Sequence, residues 1–230
     1  MSASREASAS LLSGNVRRLL RQVLGHTDSP AAVAATTSAP LLRRRSNGLR
    51  EFWSGIEATP REGILDLGSA SQSNLSFITS HGYKLYAEDL FRVALRPPAP
   101  PKGKQPLSEE ERFFRENLSY SEGQFAGILC WDLLDFLSEP LVKPFVENLY
   151  YFLKPGGHLL AFFHTGPSGQ EVPLCQYRIH AWDTLEVSGN AAAKLRRNFN
   201  NRAIETLFRK FSSLKFYLSR DNLREVIIVR

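Results

Sequence analysis

The chain has 230 residues, 43% of them hydrophobic, and a formal net charge of +6. That length and apolar content suffice for one sizeable core, no apolar run reaches membrane-spanning length, and two cysteines, Cys130 and Cys175, are too few for a disulfide framework. Residues 1–50 hold eight basic side chains against two acidic ones, which leaves the remainder balanced at 21 of each. A nucleic-acid surface is therefore not expected on the main body of the chain.

The first element is a helical stripe made by Leu11, Leu12, Val16, Leu19, Leu20, Val23 and Leu24, with Arg17, Arg18 and Arg21 beside it. Gly25 can end that helix, and an Ala/Thr/Ser-rich linker runs from Asp28 to Pro40. Residues 1–48 thus read as a basic, partly disordered tail with a short amphipathic helix, and residues 49–230 as the domain. Three readings of the helix stay open. It packs on the domain or a partner, it touches an anionic surface, or it acts as an organelle transit peptide. The first is favoured, with the cytoplasm as the expected compartment.

Gly63 to Leu67 is a short apolar strand that ends in Asp66-Leu67-Gly68. Ser69, Ala70, Ser71, Gln72 and Ser73 form a turn, an amphipathic stretch follows, and after Gly82 an alternating strand leads to Glu88-Asp89. Strand, tight loop, helix, strand and carboxylate is the order in which an open α/β sheet builds a nucleotide site. Gly68 lets backbone approach a ligand, and Ser69, Ser71 and Ser73 are N-cap candidates. Period-two alternation puts Leu85, Ala87 and Asp89 on one face, with Asp89 at the strand's carboxyl end and Glu88 opposed. Ala70 and Gln72 stand where nucleotide loops usually carry further glycines.

A Pro-rich break covers residues 96–106, and Ser108-Glu109-Glu110-Glu111 opens a helix to Asn117 as a capping box. Phe125 to Leu129 reads as a buried strand. Cys130, Trp131, Asp132 and Asp135 follow it, with Asp135 the better candidate to cap the next helix. That helix is expected over about residues 142–153, with Pro144 in its first turn. It stops at Lys154-Pro155-Gly156-Gly157, and a strand follows from His158 to His164. Residues 165–197 mix Gly166, Pro167, Gly169 and Pro173 with Tyr177, Arg178, His180 and Trp182, and read either as a surface loop with a short hairpin or as a segment that contacts a substrate. Residues 198–210 read as a helix with Ala203, Leu207, Phe208 and Phe211 on one face. His158, His164 and His180 lack metal-ligand spacing, so no metal is expected.

With these pieces in place the chain resembles the class I methyltransferases that use S-adenosylmethionine. The resemblance rests on Ile64-Leu65-Asp66-Leu67-Gly68 as the first motif, on Gly82 through Asp89, and on Phe125 to Leu129. It also rests on Leu153-Lys154-Pro155-Gly156-Gly157 and on the tail from Phe211 as a closing hairpin. It implies a three-layer Rossmann-like α/β fold, mostly parallel, with an antiparallel C-terminal hairpin. The third parallel strand is hard to find, and Ala126 stands where the family usually has Asp.

The resemblance also implies S-adenosyl-L-methionine as cofactor, held by Asp66, Gly68, Ser69, Ala70, Glu88, Asp89, Asn117, Cys130 and Trp131. The activity it implies is methyl transfer, here to a small molecule, with Asp132 as the candidate base. No Asn-Pro-Pro-Tyr type sequence follows Leu129, which argues against amino methylation of DNA bases. A module that no longer catalyses and serves as a partner or scaffold is the alternative favoured by Ala70, Gln72 and Ala126. A nicotinamide-dependent reductase is a weaker third reading.

Overall fold

In the computed structural model, residues 41–95, 109–218 and 222–230 are described. The chain divides into two units, residues 1–37 and 38–230, and every described residue lies in the second. The tail helix, its linker to Pro40, the Pro-rich break and Ser108 of the capping box lie outside the described residues. Among the described residues no helix is long and apolar enough to cross a membrane.

The order is β1 (Leu42–Arg45), α1 (Asn47–Ile56), β2 (Gly63–Asp66), α2 (Gln72–Ser80), β3 (Lys84–Ala87), α3 (Leu90–Ala94), α4 (Glu109–Asn117) and β4 (Phe125–Trp131). A 3-10 turn (Leu133–Phe136) follows, then α5 (Glu139–Phe152), β5 (Leu153–His164), β6 (Glu171–Ala181), β7 (Thr184–Lys194), α6 (Asn201–Leu207), β8 (Ser213–Leu218) and β9 (Leu223–Val229).

The main sheet runs β3-β2-β4-β5-β9-β8. β3, β2, β4 and β5 pair in parallel, and β9 and β8 close the far side antiparallel. This is the mostly parallel α/β sheet with a C-terminal hairpin that the sequence implies. Among the described residues no strand continues the sheet beyond β3. All seven residues of β4 are buried, because helices cover both faces of a parallel sheet. At Gly127 the space of a Cβ is already filled by Phe52 and Ile56 of α1.

Local chemistry sets the helix starts. Ser46 caps α1 by accepting from Leu49 N at 3.0 Å, Ser71 caps α2 by accepting from Asn74 N at 3.0 Å, and Asn200 caps α6. α5 begins at Glu139, earlier than the spacing predicts, so Pro140 takes the first turn and Pro144 lies inside the helix. Pro144 has no N–H for the carbonyl of Pro140, and the helix is held instead by burial of Leu141, Val142, Phe145, Val146 and Leu149. α6 is shorter than residues 198–210, and Ile204 and Phe208 carry its deepest face.

Two arrangements depart from the sequence expectation. Residues 165–197 contain an eleven-residue hairpin pair, β6 and β7, which joins β1 in a separate antiparallel sheet. The residues just before Leu49 are built into the fold as well. Arg44 forms an ion pair with the buried Glu225, whose Oε2 also accepts from Ser46 Oγ at 2.9 Å and from Gly48 N at 2.7 Å. A domain boundary at Leu49 would cut through this buried cluster.

Candidate functional site

The carboxyl ends of β2, β3 and β4 converge where an open α/β sheet binds its ligands. Asp66 ends β2 and is only 2% exposed. Its Oδ1 accepts from Gly68 N at 3.0 Å and from the Trp131 indole Nε1 at 2.7 Å. Its Oδ2 accepts from Asn74 Nδ2 at 2.8 Å. Burial raises the Asp66 pKa, while those three donors oppose the rise.

Trp131 ends β4 in the left-handed region, at φ 53°, a conformation a bulky side chain rarely adopts. This turns the indole over the glycine loop. A Cβ added at Gly68 would lie 2.7 Å from Trp131 Cδ1 and 2.8 Å from Nε1. The close approach that Gly68 permits is therefore taken by this chain's own side chain.

The β6–β7 hairpin seals the arrangement. Tyr177 stacks on Trp131 with ring centroids 5.2 Å apart and planes within 9°. Asn74, in the first turn of α2, holds the hairpin backbone: its Nδ2 donates to Tyr177 O at 3.2 Å and its Oδ1 accepts from Ile179 N at 2.7 Å. The Tyr177 hydroxyl donates to Asp132 Oδ2 at 3.0 Å. At the hairpin tip Trp182 meets Trp53, Phe77 and His81 edge-on.

Behind Trp131 lies a buried acidic group. Asp132 is fully buried, its Oδ1 has no hydrogen-bond partner among the described residues, and burial pushes its pKa up to about 7. Asp135 caps no helix, contrary to the sequence expectation. Its Oδ2 accepts from His164 N at 2.7 Å and faces His164 Nδ1 at 2.9 Å. Burial raises its pKa too, against the His164 contacts. The Cys130 thiol is buried, and burial together with Asp132 and Asp135 pushes its pKa up.

The other candidate residues lie on the β3 side. The strand stops at Ala87, so Asp89 leaves the face it was expected to share with Leu85 and Ala87. It caps α3 instead, accepting from Arg92 N at 3.3 Å, and takes the Ser69 hydroxyl at 3.4 Å. Asp89 and Ala70 are exposed, and Ser69 is half-buried. Glu88 accepts from the Tyr120 hydroxyl, and its N–H donates to Asp66 O at 2.9 Å. The Asn117 amide is turned back on its own helix, donating to Phe113 O at 2.7 Å.

S-adenosylmethionine fits one half of this place and not the other. Asp89, expected to take the ribose, is an exposed carboxylate beside Ser69. On the loop side Gly68 and Asp66 are already occupied by Trp131, Asn74 and the hairpin. Sequence reasoning missed Asn74 and named Tyr177 only within the 165–197 segment, without its part in locking the closure. The only signal for Asn74 was its place in the first turn after the Ser-rich loop.

No protein-family model matches the chain, and no curated protein matches it in sequence. Solved structures similar to it include S-adenosylmethionine-dependent methyltransferases. One is the 1,6-didemethyltoxoflavin-N1-methyltransferase of Burkholderia thailandensis, bound to 1,6-didemethyltoxoflavin and S-adenosylhomocysteine (14% identity, 80% of this chain and 77% of that one, TM-score 0.42). Another is a TehB-like methyltransferase of Corynebacterium glutamicum (12% identity, 94% and 95%, TM-score 0.44). A third is a methyltransferase of Leishmania major (10% identity, 80% and 70%, TM-score 0.45). At such identities and TM-scores the likeness carries nothing about this chain's site residues or chemistry.

Proposed function

We propose that this domain is a methyltransferase-like binding module whose cofactor crevice has been taken over by its own side chains. The observation that carries the reading is the occupation of the glycine loop. Asp66 has three internal donors, and the indole of Trp131 fills the space over Gly68. A ligand lying across that loop would have to displace the indole, break its bond to a buried carboxylate and unstack Tyr177. An unpaired buried acceptor alone costs roughly 1–3 kcal/mol, and the lost aromatic contact adds to it. A fold does not carry its relatives' chemistry once the site has changed.

Methyl transfer from S-adenosyl-L-methionine to a small molecule is the second reading. The exposed Asp89 beside Ser69 supports it, since a carboxylate open to solvent can accept ribose hydroxyls. Calorimetric titration of the whole chain with S-adenosylmethionine, its demethylated product and adenosine separates the two. The module reading expects no saturable heat from the first two. Tight binding of either, with a matching rise in melting temperature, would overturn it and restore the transferase.

A further inference from the structure

A second surface lies between α5 and α6, and none of the crevice residues lines it. Two adjoining cavities of about 250 and 460 Å³ share Thr206 and Leu207. Their floor is apolar: Val142 and Val146 of α5 and Phe199 and Phe211 flanking α6 are all buried. Their rim is basic. Lys143, Arg202 and Arg209 are exposed and have no ion pair among the described residues, whereas Lys210 is paired with Glu147 and Arg197 with Glu139. Of the lining side chains five are cationic and one, Glu147, is anionic. This concentration stands out because charge over residues 51–230 is balanced.

We propose that this groove docks an acidic amphipathic helix of a partner protein. Val142, Val146 and Tyr150 follow one another at i+4 along α5, and Ala203 and Leu207 do so on α6. Such ridges leave a groove that accepts a third helix. From Val142 to Tyr150 the groove runs about 12 Å, two helical turns. An occupant with an apolar stripe packs on the half-buried Tyr150, Ala203 and Leu207 above this floor, and acids flanking that stripe meet the cations on both rims. That is the helix-in-groove mode of recognition. A nucleic-acid backbone would meet the cations but make no use of Tyr150, Ala203 and Leu207, the apolar lining side chains that are only half-buried. The inference rests on residues remote from Trp131, so it stands or falls independently of whether the crevice binds a cofactor.

The test is fluorescence anisotropy on the full chain. The probe is a labelled, helix-stabilised peptide of about four turns, with Leu at every i+4 position and Glu beside each Leu. Saturable binding that weakens at high salt is expected. The same peptide scrambled to destroy the stripe should lose about tenfold or more in affinity. The double variant Lys143→Glu/Arg209→Glu, at exposed positions, should lose as much with an unchanged melt. Absence of binding by the patterned peptide overturns the proposal. So does equal binding of the scrambled peptide, which would mean charge alone. A single-stranded oligonucleotide of the same charge that binds tighter and displaces the peptide would also overturn it, in favour of a nucleic-acid surface. The peptide controls use the unaltered protein, so the test survives a variant that fails to fold.

Discussion

Replacing Asp132 by Asn probes the interior of the closed crevice. Asp132 is wholly enclosed, with the Tyr177 hydroxyl on Oδ2 and no partner for Oδ1 among the described residues. The titratable groups facing it are Asp135 and His164, and the Cys130 thiol lies beside it in β4. Burial carries its pKa from 3.8 up to about 7, against the pull of His164. The sign follows from linkage. The folded state holds the proton more tightly than the unfolded chain, so stability falls as pH rises from about 4 through about 7. At 1.36 kcal/mol per pK unit, that span corresponds to roughly 4 kcal/mol, an upper bound because an ionised interior relaxes. Asn cannot ionise and still offers Tyr177 an acceptor. Urea unfolding across this range should show the variant and the parent nearly equal at about pH 4, with the variant more stable by a few kcal/mol at about pH 8. Asp66 and Asp135, also buried with raised pKa values, leave a residual slope of the same sign in both proteins. Parallel pH profiles for the two would refute the burial argument, because Asp132 would then titrate alike folded and unfolded.

Two further outcomes follow from the packing. Gly68→Ala places a methyl group against the indole at 2.7–2.8 Å, so it should lower stability by about 1–3 kcal/mol. In a Trp131→Ala background the loss should largely vanish, and an additive double-mutant cycle would show that Gly68 answers to something other than Trp131. A chain beginning at Leu49 loses Arg44, Ser46 and Gly48 and leaves Glu225 buried without them. It should be less stable than one beginning at Leu41 by roughly 3–5 kcal/mol, as for a broken buried pair. Chemical denaturation of the two chains decides this, and equal midpoints would refute it.

The parallel half of the sheet was legible because its signals are local. The run from Ile64 to Gly68, the strand from Phe125 and the Pro-Gly-Gly break after Lys154 all mark structure within a few residues. Neighbouring sequence therefore carries the information. The β6–β7 hairpin was not legible as a lock, because its role depends on contacts made across more than a hundred positions, Asn74 to Ile179 among them. The place of Glu225 was hidden for the same reason. A lone acid in an apolar strand gives no sign that Arg44, Ser46 and Gly48 will surround it. Asp89 shows a subtler failure. Period-two counting assumes that the strand persists, but the chain leaves β3 at Ala87, and two residues later the carboxylate is a helix cap.

The closure of the crevice is more than a collapse into spare room. The carboxyl ends of β2 and β4 leave polar groups that must be satisfied inside the protein, and in ligand-binding relatives of such sheets a bound molecule helps to do so. Here the chain supplies the partners itself, and one of them is held in an unfavourable conformation. A Trp at φ 53° is uncommon and adds on the order of 1–3 kcal/mol of strain, so it persists only where its surroundings over-determine it. Those surroundings are specific. Asp66 takes the indole N–H, Tyr177 stacks on the ring, Phe162 meets its edge, and Asn74 pins the strand that carries Tyr177. Three contacts converge on one strained side chain, with Asn74 holding the strand that supplies one of them, and a ligand that displaced the indole from Gly68 would break all three. The same carboxylate and glycine that make the sequence resemble a methyltransferase are therefore accounted for by the packing of Trp131. Retention of Asp66 and Gly68 does not by itself argue for a bound cofactor.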